Sequence, residues 1–451
     1  MNTRRLIATL AFAALASSAV GARADAPYAT IPAPTVDPRI AAMVNAVSAA
    51  DLREFDTRLV GFGTRNDFSD DLHSPTRGVF AARDWIRSQF EEIAKSSGGR
   101  MTVALDTFTH PKTERTPRDV VESSVIATLK GDEPGPTYVM SSHYDDCDGK
   151  CTDGRGVAPG ADDNGSGTSA VIEAAKVMAH TRFRGTIIFA TFDGEELGLW
   201  GAEHFANALK ANGTDVVADL NNDIIGTPNS SADANEVRIF SEALPANAKD
   251  STVNLLGSEN DSPSREIARF VKATGERYVA PMHGLLIYRA DRFLRGGDQE
   301  MFTAAGFPAI RFVEIHEDFA HQHQDVRKEG GVQYGDLPQY LDFNYLARVT
   351  KMNVAALAAL ALGPDQPQQV ELVTQHLTND STLRWKPAPG DSQYEVVWRE
   401  TTSPVWQYSK NVGNSTQATV PVSKDNYILG VRAMDSSGLY SPVVYPVPVR
   451  K

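Results

Sequence analysis

Three acid-rich turns hold most of the residues in this chain that could do chemistry. They read S-S-H-Y-D-D from Ser141, A-P-G-A-D-D-N-G-S-G from Ala158 and F-A-T-F-D-G-E-E-L-G from Phe189. Together they offer one imidazole, several Asp and the pair Glu195-Glu196. Zn²⁺ accepts N and O donors of this kind, and two ions sharing one carboxylate need about five such ligands. Taken singly, acids in turns are commonly solvated or cap helices. Their arrangement is what points further. The first and third turns follow the apolar, β-prone runs Thr137 to Met140 and Thr186 to Thr191, and the second is a Gly-rich loop leading into a helix. Polar groups at the carboxyl ends of parallel strands are where open α/β sheets build their sites.

The elements that must position these turns alternate between strand and helix. Gly78 to Lys95 has an amphipathic helical spacing, and Thr102 to Phe108 and Val120 to Leu129 read as strands. Helices are expected over Ser166 to Met178, Leu199 to Leu209, Ser264 to Thr274 and Leu341 to Leu362. Strands are expected over Asp215 to Ile225, Val237 to Phe240 and Ala309 to Val313. Thr227 to Asp261, rich in Pro, Asn, Ser and Asp, reads as an insertion. The fold class is therefore α/β, a mainly parallel doubly wound sheet.

The combined pattern H-x-D, P-G-A-D-D-N and D-G-E-E resembles the zinc-dependent aminopeptidases of the bacterial leucyl aminopeptidase type. Their clan also holds glutamate carboxypeptidase and the glutaminyl cyclases. The resemblance covers roughly Val47 to Leu362 and implies two Zn²⁺ per chain. His143 and Asp223 would hold one ion, Glu196 and His321 the other, and Asp162 would bridge them. Glu195 would be the general base for a metal-activated water, because neighbours on an extended segment face opposite ways. Asp145 and Asp325 would orient the imidazoles of His143 and His321. The run H-Q-H-Q-D also offers His323; the usual spacing, His four residues before Asp, selects His321. A cis bond between Asp162 and Asp163 is also implied.

At 451 residues more than one domain is expected. Residues 1–24 have a basic start, an apolar middle and small residues at Ala22 and Ala24, the pattern of a signal peptide. The peptidase-like region is 25–363, a Pro- and Gln-rich linker is 364–369, and 370–451 changes to short alternating strands. That last stretch resembles a fibronectin type III module, a smaller all-β sandwich whose aromatics pack its core. It could bind a surface or a large substrate. The protein is thus expected to be secreted or periplasmic, with no membrane span beyond the leader. In an oxidising compartment Cys147 and Cys151 are expected to form a short disulfide.

Net charge is -13, and removal of Arg4, Arg5 and Arg23 with the leader makes it three units more negative. Such an acidic chain is a poor binder of nucleic acid or anionic lipid. Peptides or proteins are the expected substrates, cut at their amino terminus. The alternatives are a carboxypeptidase, with Arg289, Arg292 and Arg295 as candidates for a terminal carboxylate, and a single-zinc glutaminyl cyclase. A non-enzymatic receptor-like or adhesion protein would require missing ligands, and none is missing.

Overall fold

The computed structural model describes residues 29–31, 35–243, 260–390 and 392–449. The expected leader lies outside the described residues, as does most of the second half of the Thr227 to Asp261 insertion.

Eight strands form the central sheet: β1 (Met101–His110), β2 (Val120–Leu129), β3 (Thr137–His143), β4 (Thr186–Phe192), β5 (Val216–Asn222), β6 (Glu236–Ser241), β7 (His283–Ile287) and β8 (Ala309–Val313). Their order is β1-β2-β4-β3-β5-β8-β6-β7. The middle four, β4-β3-β5-β8, run parallel. β7 runs parallel to β6, while β1, β2 and β6 join antiparallel, so the sheet is mixed with parallel pairings in the majority, four of seven. The parallel block matters most here, because it brings the ends of β3, β4, β5 and β8 to one edge.

Both faces of the sheet are covered. Tyr138, Met140, Ile187 and Phe189 face one apolar cluster, and Val139, Ile188, Ala190 and Phe192 face the other. This is the period-2 alternation of strands buried on both sides. The first cluster takes in the helices Val79–Lys95, Gly167–Met178, Pro263–Tyr278 and Phe343–Leu362, and the second takes in Trp200–Ala211 and Gln299–Ala305. Phe343–Leu362 is the one helix among the described residues long and apolar enough to cross a membrane. It is instead packed inside this core, which explains its hydropathy without a bilayer.

β9 (Arg327–Glu329) and β10 (Val332–Tyr334) pair as a small hairpin; beyond Gly363, β11 (Gln368–Val373), β12 (Ser381–Lys386), β15 (Gln417–Val420) and β17 (Val447–Val449) form one sheet. β13 (Gln393–Glu400), β14 (Tyr408–Gly413) and β16 (Tyr427–Met434) form another. Leu383 and Trp385 from the first sheet and Tyr394, Trp398 and Val431 from the second share one buried cluster. The two regions of the chain touch through buried polar groups. Arg399 on β13 donates to Asp261, and Trp406 Nε1 donates to Glu266, at 2.6 and 2.8 Å.

Candidate metal centre

His143 ends β3, Glu195 and Glu196 open the turn after β4, and Asp223 follows β5. The parallel register thus delivers four of the expected side chains, from three strands, to one edge of the sheet. Asp145 fixes their relation. Its two carboxylate oxygens accept the N–H groups of Glu195 and Glu196, at 3.3 and 3.0 Å. The same carboxylate lies 3.4 Å from His143 Nδ1. His143 Nδ1 thus meets Asp145 through both its backbone carbonyl, at 3.2 Å, and its carboxylate, which also holds the Glu195–Glu196 turn.

A fourth arm comes from the loop before Gly167–Met178. Within it Asp163 and Asn164 have extended rather than helical φ/ψ, which swings the Asp163 carboxylate into the cleft. Asp163 Oδ1 is 3.3 Å from His143 Nε2, and Asp163 Oδ2 is 3.1 Å from His323 Nε2. His323 Nε2 is also 3.0 Å from Glu196 Oε1, and His143 Nε2 is 3.6 Å from Asp223 Oδ1. One carboxylate thus faces two imidazoles, each beside a second carboxylate. Glu195 groups with His143 and Asp223.

Two expected residues are elsewhere. Asp162 points away from the cleft, because neighbouring side chains on this loop diverge. Its Oδ1 accepts the Gly226 N–H at 2.8 Å, and its own N–H donates to Asp336 at 2.9 Å. His321 stacks on Tyr340 with ring centres 3.7 Å apart and lies 3.4 Å from Asp318. Asp162 and His321 line a separate small pocket. The carboxylate that faces two imidazoles is therefore Asp163 rather than Asp162, the second imidazole is His323 rather than His321, and the cis peptide is one bond later, at Asp163–Asn164. Asp325 does not support His321; it accepts the Gly149 N–H at 3.2 Å and so ties the Cys147–Cys151 loop to the His323 loop. The two cysteines are bonded to each other, as expected, so neither offers a thiolate. Glu195 and Glu196 are separated in role-bearing direction by a short helical turn, Glu195–Gly198, rather than by an extended segment.

Other supporting residues carried no motif. Arg65 is wholly buried and donates to the carbonyls of Tyr144, Pro159 and Gly160, at 2.6, 2.7 and 2.8 Å. It knits the His143 loop to the Asp163 loop. Asp336 accepts the N–H groups of both Asp162 and Asp163. Arg311 on β8 lies 2.6 Å from Asp223. Only the fold brings residues this distant in sequence together.

The electrostatics call for a cation. Burial opposes ionisation of Asp163, yet the imidazoles of His143 and His323 hold its carboxyl well below the usual range. The neighbouring Glu196, against the effect of burial and with help from Asp163, pushes His323 up to about 11. Burial pushes Glu195 well above its ordinary value; His143 opposes this, and Glu196 and Asp223 add to it. His143 Nε2, Glu196 Oε1 and Asp223 Oδ1 are buried and meet their neighbours only as ion pairs, without a well-directed hydrogen bond. Buried polar atoms are rarely left so. The N and O donors, with thiolates absent among the described residues, fit Zn²⁺.

A probable zinc metalloprotease of Leptosphaeria maculans is 43% identical over 425 residues, covering 92% of this chain and 98% of the relative. One of Pyricularia oryzae is 40% identical, covering 91% and 85%. Residues 124–334 match Peptidase family M28. The chain belongs to peptidase family M28. Among solved structures, LapB of Legionella pneumophila is similar at a TM-score of 0.54 and 18% identity, over 74% of this chain and 78% of that one. An aminopeptidase from Aneurinibacillus gives 0.51 and 14%, over 71% and 96%. At such identities these two speak for the M28 fold alone. The matched M28 segment contains His143, Asp163, Glu195, Glu196, Asp223 and His323.

The M28 cleft over these residues has a volume of about 400 Å³. Besides the metal-type ligands it is lined by Leu199, Leu294 and three arginines, Arg115, Arg292 and Arg295. Arg292 is engaged by Asp291 and Glu317. Arg289, considered from sequence, is not in the lining and lies over the Phe293 ring.

Proposed function

We propose that this protein is an exported two-zinc exopeptidase that removes residues from the amino terminus of peptides. The observation that carries the two-metal reading is the Asp163 carboxylate, whose oxygens lie 3.3 and 3.1 Å from the imidazoles of His143 and His323. In this reading His143 and Asp223 hold one ion, His323 and Glu196 hold the other, and Asp163 serves both. Zinc held there supplies Lewis acidity toward a peptide carbonyl and makes water a stronger acid. Glu195 is half-buried at the cleft wall beside His143 and Asp223 and has no other assigned work. It takes a proton from the attacking water and returns it to the leaving amine. Asp145 keeps Glu195 and His143 in register for that transfer, and Arg311 keeps Asp223 turned inward. Leu199 and Leu294 favour an apolar residue beside the cut bond.

Export follows from the leader-like residues 1–24, and the paired sheets beyond Gly363 are suited to holding a surface or a large substrate. A second reading, a carboxypeptidase, draws on Arg115 and Arg295, whose guanidiniums border the cleft and would suit a terminal carboxylate. The test is hydrolysis of chromogenic peptides with a free amino terminus against peptides with a blocked amino terminus and free carboxylate. Each is run with and without a chelator. Turnover of the first set only, abolished by chelation, is the expected result. Turnover of the blocked set alone would sink the aminopeptidase reading, and activity indifferent to chelation would sink the metal centre.

A further inference from the structure

Behind the turn that carries Glu195 and Glu196 lies a second group of acids which the peptidase chemistry leaves unused. Asp67 comes from the turn Asp67–Ser69, Glu122 from β2, and Asp193 from the end of β4, and Asp145 forms the wall shared with the metal centre. All four are at most 1% exposed. Carboxylate oxygens of Asp67, Asp145 and Asp193 lie within 4.8 Å of one another. Glu122 closes the group from the side of Gly194, where a Cβ would sit 2.9 Å from Glu122 Oε2.

The group lacks positive charge. Both oxygens of Asp67, both of Glu122 and Asp193 Oδ1 have no hydrogen-bond partner. The nearby guanidiniums are engaged elsewhere, Arg118 by Asp70 and Arg65 by Asp146 and three carbonyls. Buried carboxylates are found paired, metal-bound or neutralised. The donors here are all oxygen, with no imidazole or sulfur, which is the set hard cations take. Opposed ligands about Ca²⁺ stand at about twice 2.4 Å, so oxygens of Asp67, Asp145 and Asp193 that lie within 4.8 Å of one another can share one ion.

We propose that Asp67, Glu122, Asp193 and Asp145 hold a buried Ca²⁺ ion, a third metal site distinct from the zinc-type centre and joined to it through Asp145. The ion would brace the Glu195–Glu196 turn from behind, since Asp145 is what fixes the N–H groups of both residues.

The full-length, zinc-saturated protein is gel-filtered with and without CaCl2 and its metals counted by elemental analysis, alongside Asp67→Asn and Glu122→Gln. The expected result is one retained Ca²⁺ per chain. Its affinity should fall by at least about tenfold in each variant, because ligand charge sets Ca²⁺ affinity, while zinc content is unchanged. Thermal unfolding of the unaltered protein should rise by several degrees in saturating CaCl2, as for any ligand bound only by the folded state. If Asp67→Asn does not fold, Glu122→Gln decides the matter by itself. Absence of retained Ca²⁺ would overturn the proposal and mean that protons neutralise the group. Ca²⁺ bound equally by parent and variants would overturn it too, by placing the ion elsewhere on this acidic surface.

Discussion

Arg311 Nη2 lies 2.6 Å from Asp223 Oδ2, and both side chains are buried. Arg311 lies midway along β8 and Asp223 directly follows β5, so two neighbouring parallel strands fix this carboxylate. Asp291 anchors the same guanidinium at 3.0 Å. Replacing Arg311 by Met should leave Asp223 charged but unsupported. Loss of such a supporting partner typically weakens metal affinity by about 10–100-fold. Competition with a graded chelator should show one of two zincs leaving early. Retention of both at parental affinity would mean that Arg311 serves the fold alone.

His323 and His321 separate the metal centre from its neighbour. His323→Ala should remove one zinc and most activity. His321→Ala should keep both ions and cost only the stack on Tyr340, of the order of 0.5–1.5 kcal/mol. Metal counts and urea midpoints for the pair decide this. A loss of zinc from the His321 variant with none from the His323 variant would reverse the assignment.

Glu195→Gln removes a proton acceptor without removing a proposed ligand. The rate should drop about 10² to 10⁴-fold with metal content unchanged, the range general acid–base catalysis contributes. Glu196→Gln should instead release the ion shared with His323. Similar behaviour of the two variants would show that the turn does not divide the roles.

What the chain discloses in advance follows from which physics is local. β2 and β8 occupy the expected ranges, and the helices at Gly167–Met178 and Phe343–Leu362 begin within two residues of expectation, because apolar periodicity and Gly or Asp breaks are written in adjacent residues. His143, Glu196 and Asp223 were legible for the same reason, each closing an apolar strand. The one-residue displacement from Asp162 to Asp163 was not, since it depends on how the loop turns. That turn is held by Asp336, more than 170 positions away in sequence. His323 likewise prevails over His321 through its left-handed backbone, φ 51°, and through the Tyr340 ring that takes His321. Antiparallel attachment of β6 and β2 depends on long-range pairing that strand-by-strand reading cannot resolve.

The last expectation concerns the C-terminal region. By composition 364–369 is a linker, and a linker ordinarily carries few contacts. Several contacts cross this junction. Arg184 pairs with Asp365 at 2.7 Å, and Leu439 joins the main core. The N-terminal lead-in pairs with the C-terminal sheet, where Ile31 donates to the Gln407 carbonyl at 3.1 Å. Most consequential is the buried cluster in which Asp261 accepts from both Arg269 and Arg399, at 3.0 and 2.6 Å. Glu266 sits beside it, bonded to Trp406 and paired with Arg269. Truncation after Gly363 strips Arg399 and Trp406 from these acids and opens the face of Pro263–Tyr278 to water. Removing one member of a buried ion cluster costs about 3–5 kcal/mol. Arg399→Ala should therefore lower the urea midpoint by an amount near that range. The truncated chain should unfold earlier still or aggregate, although every proposed ligand precedes the cut. A truncated protein with parental stability and two bound zincs would show that the junction is only a surface contact.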